Sequence, residues 1–345
     1  MRVKLEEVCK RIYAGGDVPK DRYSEEKTED YKVPIFANAE KDEGLYGYTD
    51  EAREKELSIT VAARGTIGYT VIRREPFLPV VRLITVVPDL EKVSERYLFY
   101  ALRMCKPQSS GTSIPQLTVP DIKKNTLNLL DIAEQESIAN RLDKLNGIIK
   151  LRTEVISKMD ELIRARFVEM FGDIIINDRL WKTDSWSNLL KIVNGKNQKS
   201  VESNNGKYVI CGSGGIIGRA TDYLTKENSV IIGRKGNINK PILMREKYWN
   251  VDTAFGVEPN ENYICVEYLY MFCLFFDFNR LNKAVTIPSL TKMDLLNISM
   301  PIPDLHTQKR FATFVSQVNK SKVEVKKALD EAQLLFDSLM QKYFG

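Results

Sequence analysis

An internal repeat limits how this chain can fold more than any other feature of its sequence. The segment "SIPQLTVPDI", which begins at Ser113, matches "TIPSLTKMDL", which begins at Thr286, 173 residues further along. The same spacing, without a gap, aligns Asp131 with Asp304, Gln135 with Gln308, and Phe171-Gly172 with Phe344-Gly345. A repeat of this kind predicts two copies of one structural unit, each with a globular region followed by a helix.

The segments before these also match, at a slightly different spacing. "GLYGYTD" from Gly44 aligns with "GIIGRATD" from Gly215, and "RGTIG" from Arg64 aligns with "KGNIN" from Lys235, both 171 residues apart. "IYAG" from Ile12 resembles "IVNG" from Ile192 at a spacing of 180. These changes in spacing indicate insertions in loops near the start of each copy.

Two long helices are predicted by apolar residues that recur every three and four positions. The stripe in the first copy is Ile138, Leu142, Leu145, Ile149, Arg152, Ile156, Met159, Ile163, Arg166 and Met170. Its counterpart is Phe311, Val315, Val318, Lys322, Val325, Leu329, Ala332, Phe336, Leu339 and Tyr343. Asp131 with Glu134 is typical of a helix start, and each helix of about 38 residues would be about 57 Å long.

The simplest partner for each stripe is the other one, so we expect an antiparallel coiled coil. The alternative is an ordinary helical hairpin that holds two domains together. Arg152, Arg166 and Lys322 interrupt the stripes, and such residues either extend their charges to solvent or fix the register of the pairing.

The fold class predicted is α+β, with a pseudo-twofold internal repeat. The expected boundaries are a globular domain at 1–130, a helix at 131–173, a second globular domain at 174–303 and a second helix at 304–345. Short β-rich runs separated by glycine and Asx turns support this organisation. They are "LSITVAA", "YTVI", "VRLITVV", "KYVIC", "SVIIG" and "KPILM", and "SERYLFYALR" and "CVEYLYMFCLFF" are expected to be helices.

The stretch "CGSGGIIGRATDY" from Cys211 is rich in glycine, as phosphate-binding loops are. A phosphate loop would open a helix and carry a lysine followed by serine or threonine. This stretch has no such lysine, and its counterpart "EGLYGYTDEA" keeps only the two spaced glycines. A glycine turn within a β-rich unit is therefore the preferred interpretation.

Two turns present a cation beside a glycine, "ARGTIGYT" and "GRKGNINK", and each follows a β-rich run. A cation on a rigid turn can enter a DNA groove, where arginine bonds guanine in bidentate fashion. The alternative is a surface turn with a solvated charge. A net charge of +5 and a pI of about 8.7 are compatible with either. The candidate DNA-binding residues are Arg64, Thr66, Arg234, Lys235, Asn237, Lys196, Asn197, Lys199, Lys207, Ser110 and Thr112.

Composition argues against several other classes. The five cysteines form no Cys-x-x-Cys, which favours reduced thiols over a disulfide framework or a zinc site. The single histidine, His306, is expected at a helix start. The run "YLYMFCLFF" is too short to span a bilayer, and the charged N-terminus lacks the apolar centre of a signal peptide. We expect a cytoplasmic protein with no catalytic residue, metal or cofactor of its own.

The chain resembles the specificity subunit of type I restriction-modification enzymes, over nearly its whole length. In the globular regions the matching motifs are "GLYGYTDEA", "YVICGSGGIIG", "ARGTIG" and "GRKGNIN". In and around the helices they are "AEQESIANRLDKL", "KMDELIRARFVEMFGD", "MPIPDLHTQKR" and "LLFDSLMQKYFG". The chain departs from the family at "LNLLDI", which lacks the prolines that precede the helix in the second copy.

The resemblance implies that each globular region is a target recognition domain reading one half of a bipartite, asymmetric DNA site. The paired helices would set the unread gap and dock two methyltransferase (modification) subunits, through which restriction (nuclease-translocase) subunits join. S-adenosylmethionine, ATP and Mg²⁺ would belong to those partners. The chain itself lacks the Pro-Pro pair of amino-methyltransferases. Two alternatives stay open: a coiled-coil scaffold that joins two protein-binding domains without DNA, and an enzyme in its own right.

Overall fold

The computed structural model describes residues 1–106, 116–282 and 287–345, which form two compact units of mixed helix and strand. The first unit is Met1–Arg152 with Ala328–Gly345, and the second unit is Thr153–Lys327. Each unit therefore combines one globular region with a segment of both long helices. The α+β class predicted from the sequence is confirmed. The domain boundaries at 130, 173 and 303 stay a prediction.

The elements are as follows. In the first half of the chain they are β1 (Arg2–Lys4), β2 (Cys9–Ala14), β3 (Val33–Phe36), β4 (Leu45–Thr49), β5 (Ser58–Val61), β6 (Thr70–Arg73), β7 (Leu78–Pro79), β8 (Ile84–Pro88), α1 (Glu95–Arg103), α2 (Val119–Lys124), β9 (Thr126–Asn128) and α3 (Ile132–Phe171). In the second half they are β10 (Thr183–Ser185), α4 (Trp186–Leu189), β11 (Leu190–Asn194), β12 (Tyr208–Gly212), β13 (Gly215–Ala220), β14 (Ser229–Gly233), β15 (Ile242–Met244), β16 (Tyr248–Asn250), β17 (Ala254–Pro259), α5 (Val266–Phe275), α6 (Lys292–Leu296), β18 (Ser299–Pro301) and α7 (Leu305–Phe344). Short 3₁₀ turns lie at Leu5–Val8, Lys41–Gly44 and Phe278–Leu281.

The sheets of the two units have the same topology. The first unit has a four-stranded antiparallel sheet in the order β2-β8-β5-β6, and the second has β11-β17-β14-β15. Each unit adds a three-stranded sheet, β4-β3-β7 or β13-β12-β16, with one parallel pair. Each also has a two-stranded sheet, β1-β9 or β10-β18, beside the long helices. The internal repeat inferred from the sequence is thus confirmed strand by strand.

The long helices pack antiparallel within each unit. In the first unit, an Arg152 guanidinium N–H donates to the carbonyl oxygen of Ala328. In the second unit, the Lys322 ammonium lies 2.6 Å from both carboxylate oxygens of Asp160, and the rings of Phe167 and Phe311 are 5.3 Å apart. Every residue of the two predicted stripes is buried or half-buried. The heptad prediction is confirmed.

The polar interruptions of the stripes differ in what they contact. Lys322 forms its ion pair across the two helices, and Arg152 reaches a backbone carbonyl on the facing helix. Arg166 instead pairs with Glu169 of its own helix at 2.7 Å and lies 5.8 Å from the ring centre of Phe314. Two of the three charges are therefore satisfied across the helix pair.

The start of each long helix is capped by an aspartate. The Asp131 carboxylate accepts a hydrogen bond from the backbone N–H of Glu134, and the Asp304 carboxylate accepts one from Thr307, both at 2.8 Å. The Thr307 N–H and hydroxyl hold the pKa of Asp304 below its usual value. His306 lies in the first turn of α7, where the sequence placed it.

Just inside each helix, a glutamine is fully buried. The Gln135 side-chain oxygen accepts from the N–H of Ser94, and its amide donates to the carbonyls of Lys92 and Leu130. Because these bonds join α3 to the segment before α1, Gln135 connects the helix to the globular region. Gln308 repeats this arrangement on α7, with the N–H of Cys265 and the carbonyls of Tyr263 and Pro303.

The five cysteines are all free thiols, three of them buried and two half-buried. In the part of the chain that the structure describes, no helix is both long enough and apolar enough to cross a membrane.

Candidate nucleic-acid interface

The glycine-rich stretch at Cys211 is the tip of a β-hairpin. Strands β12 and β13 are joined by a two-residue turn, Ser213-Gly214, and Gly212 opposes Gly215. Gly215 has a φ of 118°, which side chains other than glycine rarely adopt. The glycines therefore serve a tight hairpin, as the sequence indicated.

A second turn follows β14. The N–H of Arg234 donates to the carbonyl of Thr253 at 2.7 Å, and the Arg234 carbonyl accepts from the N–H of Leu290 at 2.9 Å. Gly236 adopts a φ of 77°. The side chains of the predicted residues Arg234, Lys235 and Asn237 are exposed on a backbone that is anchored on both sides. Such a turn can present cations at low cost in conformational entropy.

The hairpin tip and this turn lie against each other. A Cβ atom added at Gly233 would lie 2.4 Å from the carbonyl oxygen of Asn237 and 3.1 Å from the Cβ of Ser213. One added at Gly214 would lie 3.7 Å from the side-chain nitrogen of Asn237. We call Ser213-Gly214 together with Arg234–Asn237 the second-unit turn pair.

The other candidates of the second unit lie around the hairpin. The N–H of Lys196 donates to the carbonyl of Asn250, and the indole of Trp249 donates to the carbonyl of Lys196. The residue before it, Gly195, approaches Val251 so closely that an added Cβ would lie 1.8 Å from the Val251 carbonyl oxygen. Lys196 is thus fixed near the segment that also anchors Arg234.

Lys199 and Lys207 are not brought to the turn pair. The side-chain oxygen of Asn197 accepts a hydrogen bond from the N–H of Lys199. Further along the loop, the carbonyl of Val201 accepts one from the N–H of Thr221, just past the end of β13. Lys207 precedes β12, at the opposite end of the hairpin from its tip. These two lysines are exposed, but the structure places them at a different part of the unit from Arg234.

The first unit has the same juxtaposition. Its cation turn, Arg64–Gly68, follows β5, and Gly65 and Gly68 have φ angles of 69° and 84°. Arg64 and Thr66 are exposed, and the Arg64 Nε donates to the side-chain oxygen of Gln116 at 2.7 Å. Ser110 and Thr112 lie outside the described residues.

Asn38 joins this turn to the loop that connects β3 and β4. Its side-chain oxygen accepts from the N–H of Ala63 at 2.7 Å, and its amide donates to the carbonyl of Val81 at 2.5 Å. We call Ala37–Gly44 together with Arg64–Gly68 the first-unit turn pair. The sequence did not single out Asn38. The repeat matches Gly44 and Gly47 with Gly215 and Gly218, but the residues between β3 and Gly44 have no match in the second copy.

The two turn pairs differ in charge. The first-unit loop carries three carboxylates, Glu40, Asp42 and Glu43, and one cation, Lys41, whereas the second-unit hairpin turn has no charged residue. Arg73 lies buried beneath the first-unit loop, 3.6 Å from the ring centre of Phe36, and donates to the carbonyl of Glu43. Burial lowers the pKa of Arg73 to about 10, so it stays charged at neutral pH. The units therefore offer different surfaces to an anionic ligand.

The chain is similar to proteins that are named as specificity subunits. The family model for the type I restriction modification DNA specificity domain matches residues 1–159 and 179–333. A protein of Mycoplasma pneumoniae named as a type I specificity subunit, S.MpnORF89P, is 37% identical over 174 residues, which cover 50% of this chain and 51% of that protein. The specificity-subunit fragment named S.MpnORF289P C-terminus, from the same organism, is 42% identical over 130 residues, 38% of this chain and 88% of that fragment.

Solved structures agree at the level of the fold. The S subunit of a type I restriction-modification system from M. genitalium superposes with a TM-score of 0.66 at 16% identity, over 100% of this chain and 96% of that chain. A chain from a study of complex assembly in the type I R-M system superposes with a TM-score of 0.60, also at 16% identity, over 100% and 97%. The chain spans about half the length of the first curated relative. Because the family model covers both copies of the repeat, the chain belongs to the family of type I restriction-modification DNA specificity domains.

Proposed function

We propose that this chain is the DNA sequence-recognition subunit of a type I restriction-modification complex. Each globular region would read one half of a bipartite, asymmetric site. The observation that carries the proposal is the duplicated turn pair, in which exposed cations stand beside a hairpin tip on an anchored backbone. An anchored cation can contribute both phosphate attraction and hydrogen bonds to base edges.

The partners we propose are those that the family resemblance implies. We propose that α3 and α7 set the distance between the two half-sites and dock two methyltransferase subunits, and that restriction subunits join through them. S-adenosylmethionine, ATP and Mg²⁺ would be bound by those partners, in the cytoplasm. The continuity of α3 and α7 through both compact units supports the role as a spacer.

Replacing Arg234 and Lys235 together by alanine should weaken binding of the assembled complex to its DNA site by at least about tenfold. It should also reduce the salt dependence of binding, because each lost phosphate contact removes about one unit of slope. The DNA site is first identified by mapping methylation at base resolution in DNA from cells that carry the complex. Fluorescence anisotropy with a duplex of this mapped site, at several salt concentrations, then measures both quantities. Lys182→Ala, which removes an exposed cation of the same unit, is the matched control.

If the double variant bound DNA like the unaltered complex while methyltransferase subunits still docked, the scaffold alternative would be favoured. In that case the exposed cations of the turn would be solvated surface charges only.

The chain by itself should neither methylate nor cleave DNA. We expect no product when it is incubated with DNA, Mg²⁺, ATP and S-adenosylmethionine without partners, with the assembled complex as the positive control. Methyl transfer or strand scission by the isolated chain would instead support an enzyme in its own right.

A further inference from the structure

The three-stranded sheet of the first unit contains a β-bulge. In the pairing of β3 with β4, Ile35 opposes Gly47 and Phe36 opposes Leu45. Tyr46 is therefore the extra residue on β4. Bulges bend a strand and redirect a side chain, and they are common next to functional sites.

The second unit has the same bulge at the equivalent position. Ile210 opposes Gly218 and Cys211 opposes Ile216, which leaves Ile217 as the extra residue on β13. The 171-residue spacing of the repeat aligns Tyr46 with Ile217. An irregularity found at the same residue of both copies is a feature of the fold and not a local accident.

Each bulge exposes two neighbouring apolar side chains. Leu45 and Tyr46 are 39% and 48% exposed, and Ile216 and Ile217 are 63% and 58% exposed. Both strands are at the edge of their sheets. Single exposed apolar residues are ordinary, but a pair that recurs in both copies indicates a contact surface.

The remainder of each edge strand is covered by the chain itself. Ser24 exchanges two backbone hydrogen bonds with Tyr48, and the N–H of Ser203 donates to the carbonyl of Arg219. An added Cβ at Gly47 would lie 2.4 Å from the Tyr23 ring, so the covering segment lies directly on the strand. In the first unit this segment also reaches the bulge, because the ring centres of Tyr23 and Tyr46 are 5.6 Å apart. Ile216 and Ile217 of the second unit are the more exposed pair.

The surroundings of the second-unit bulge indicate which kind of ligand would contact it. Ile216 follows the hairpin turn Ser213-Gly214, which contacts Asn237 on the turn that carries Arg234 and Lys235. A ligand that touches this end of the hairpin thus meets cations and apolar side chains together. DNA offers the complement, because its phosphates are anionic and the methyl group of thymine is apolar and projects into the major groove. That groove is wide enough to admit a two-stranded β-ribbon.

We propose that the bulge side chains Ile216 and Ile217 of the second unit contact thymine methyl groups in the major groove and so help that unit select its half-site. The inference rests on the proposed function and adds to it the residues and the base feature that they recognise. The first-unit bulge is not assigned this role, because Glu40, Asp42 and Glu43 on the loop just before Leu45 would repel phosphates.

The test uses the assembled complex and duplexes of the mapped site in which each thymine is replaced, one at a time, by deoxyuridine. Deoxyuridine lacks only the methyl group. At one or more thymines of the second unit's half-site the unaltered complex should lose about fourfold in affinity, the value of one buried methyl group. Ile217→Ala should bind the thymine duplex about fivefold more weakly and lose nothing further with deoxyuridine.

Controls separate this inference from folding and from the proposed function. Ile176→Ala removes the same atoms from another exposed isoleucine of the second unit, 74% exposed, and should bind normally. Tyr46→Ala, at the matching bulge of the first unit, should keep the deoxyuridine effect of the unaltered complex. If no thymine in either half-site responds, or Ile217→Ala keeps its sensitivity to deoxyuridine, the inference is overturned. If the unaltered complex does not distinguish its site from a scrambled duplex, the proposed function itself fails.

Discussion

Replacing Gln308 by alanine should lower the free energy of unfolding of the second unit by about 3 kcal/mol, because a buried polar group without a partner costs about 1–3 kcal/mol. The substitution removes one acceptor and one donor group that together form three hydrogen bonds to buried or half-buried backbone. The N–H of Cys265 and the carbonyls of Tyr263 and Pro303 would then lose this partner. Because Gln308 is fully buried, a cavity adds to the cost.

Urea unfolding monitored by circular dichroism, combined with hydrogen exchange of the second unit, measures this effect. The midpoint should fall by about 1 M or more. Gln317→Ala, an exposed glutamine on the same helix, is the matched control and should change stability by less than about 0.5 kcal/mol. Gln135→Ala should have an effect similar to that of Gln308→Ala, but in the first unit. A midpoint for Gln308→Ala equal to that of Gln317→Ala would contradict the role assigned to the buried amide.

Lengthening the unread gap of the DNA site by one base pair should reduce the affinity of the assembled complex at least about 100-fold, toward its affinity for unrelated DNA, which is typically at least about 1,000-fold weaker than specific binding. The insertion moves one half-site by about 3.4 Å and rotates it by about 34° relative to the other. Two units linked by continuous helices cannot follow that rotation without bending the helices or releasing a half-site.

The measurement is a titration with three duplexes of equal total length. The first has the natural site, the second has one base pair inserted in the gap, and the third has the same base pair inserted outside both half-sites. The third should bind like the first. A complex that binds all three equally well would contradict the spacer role of α3 and α7, while leaving recognition of each half-site intact.

The sequence predicted the elements whose residue pattern directly reflects burial. The heptad stripes of α3 and α7 and the β-rich runs are of this kind, because the spacing of side chains on one buried face follows from the geometry of the helix or strand. Residues that are buried against the globular regions, such as Phe167 and Phe171, depend on tertiary packing, and the heptad pattern did not include them.

The candidate site was predictable only in part, for a related reason. The turns at Arg64 and Lys235 contain glycines with positive φ, so the positions of these turns could be predicted from the positions of glycine in the sequence. The contact that brings each turn to its hairpin, through Asn38 or Asn237, joins segments distant in sequence. The bulges at Tyr46 and Ile217 depend on the cross-strand register, which the residues of one strand do not specify.

The first unit is built from two stretches of chain separated by the whole of the second. Phe336, Met340 and Phe344 belong to its core together with Tyr97 and other residues of the first stretch. During synthesis, the ribosome must add residues 153–327 before the missing part of that core exists, which takes roughly ten to forty seconds at ordinary elongation rates. The apolar surface awaiting those residues stays open to chaperones for that time, whereas the second unit is one continuous stretch whose last residue is made before the first unit is complete.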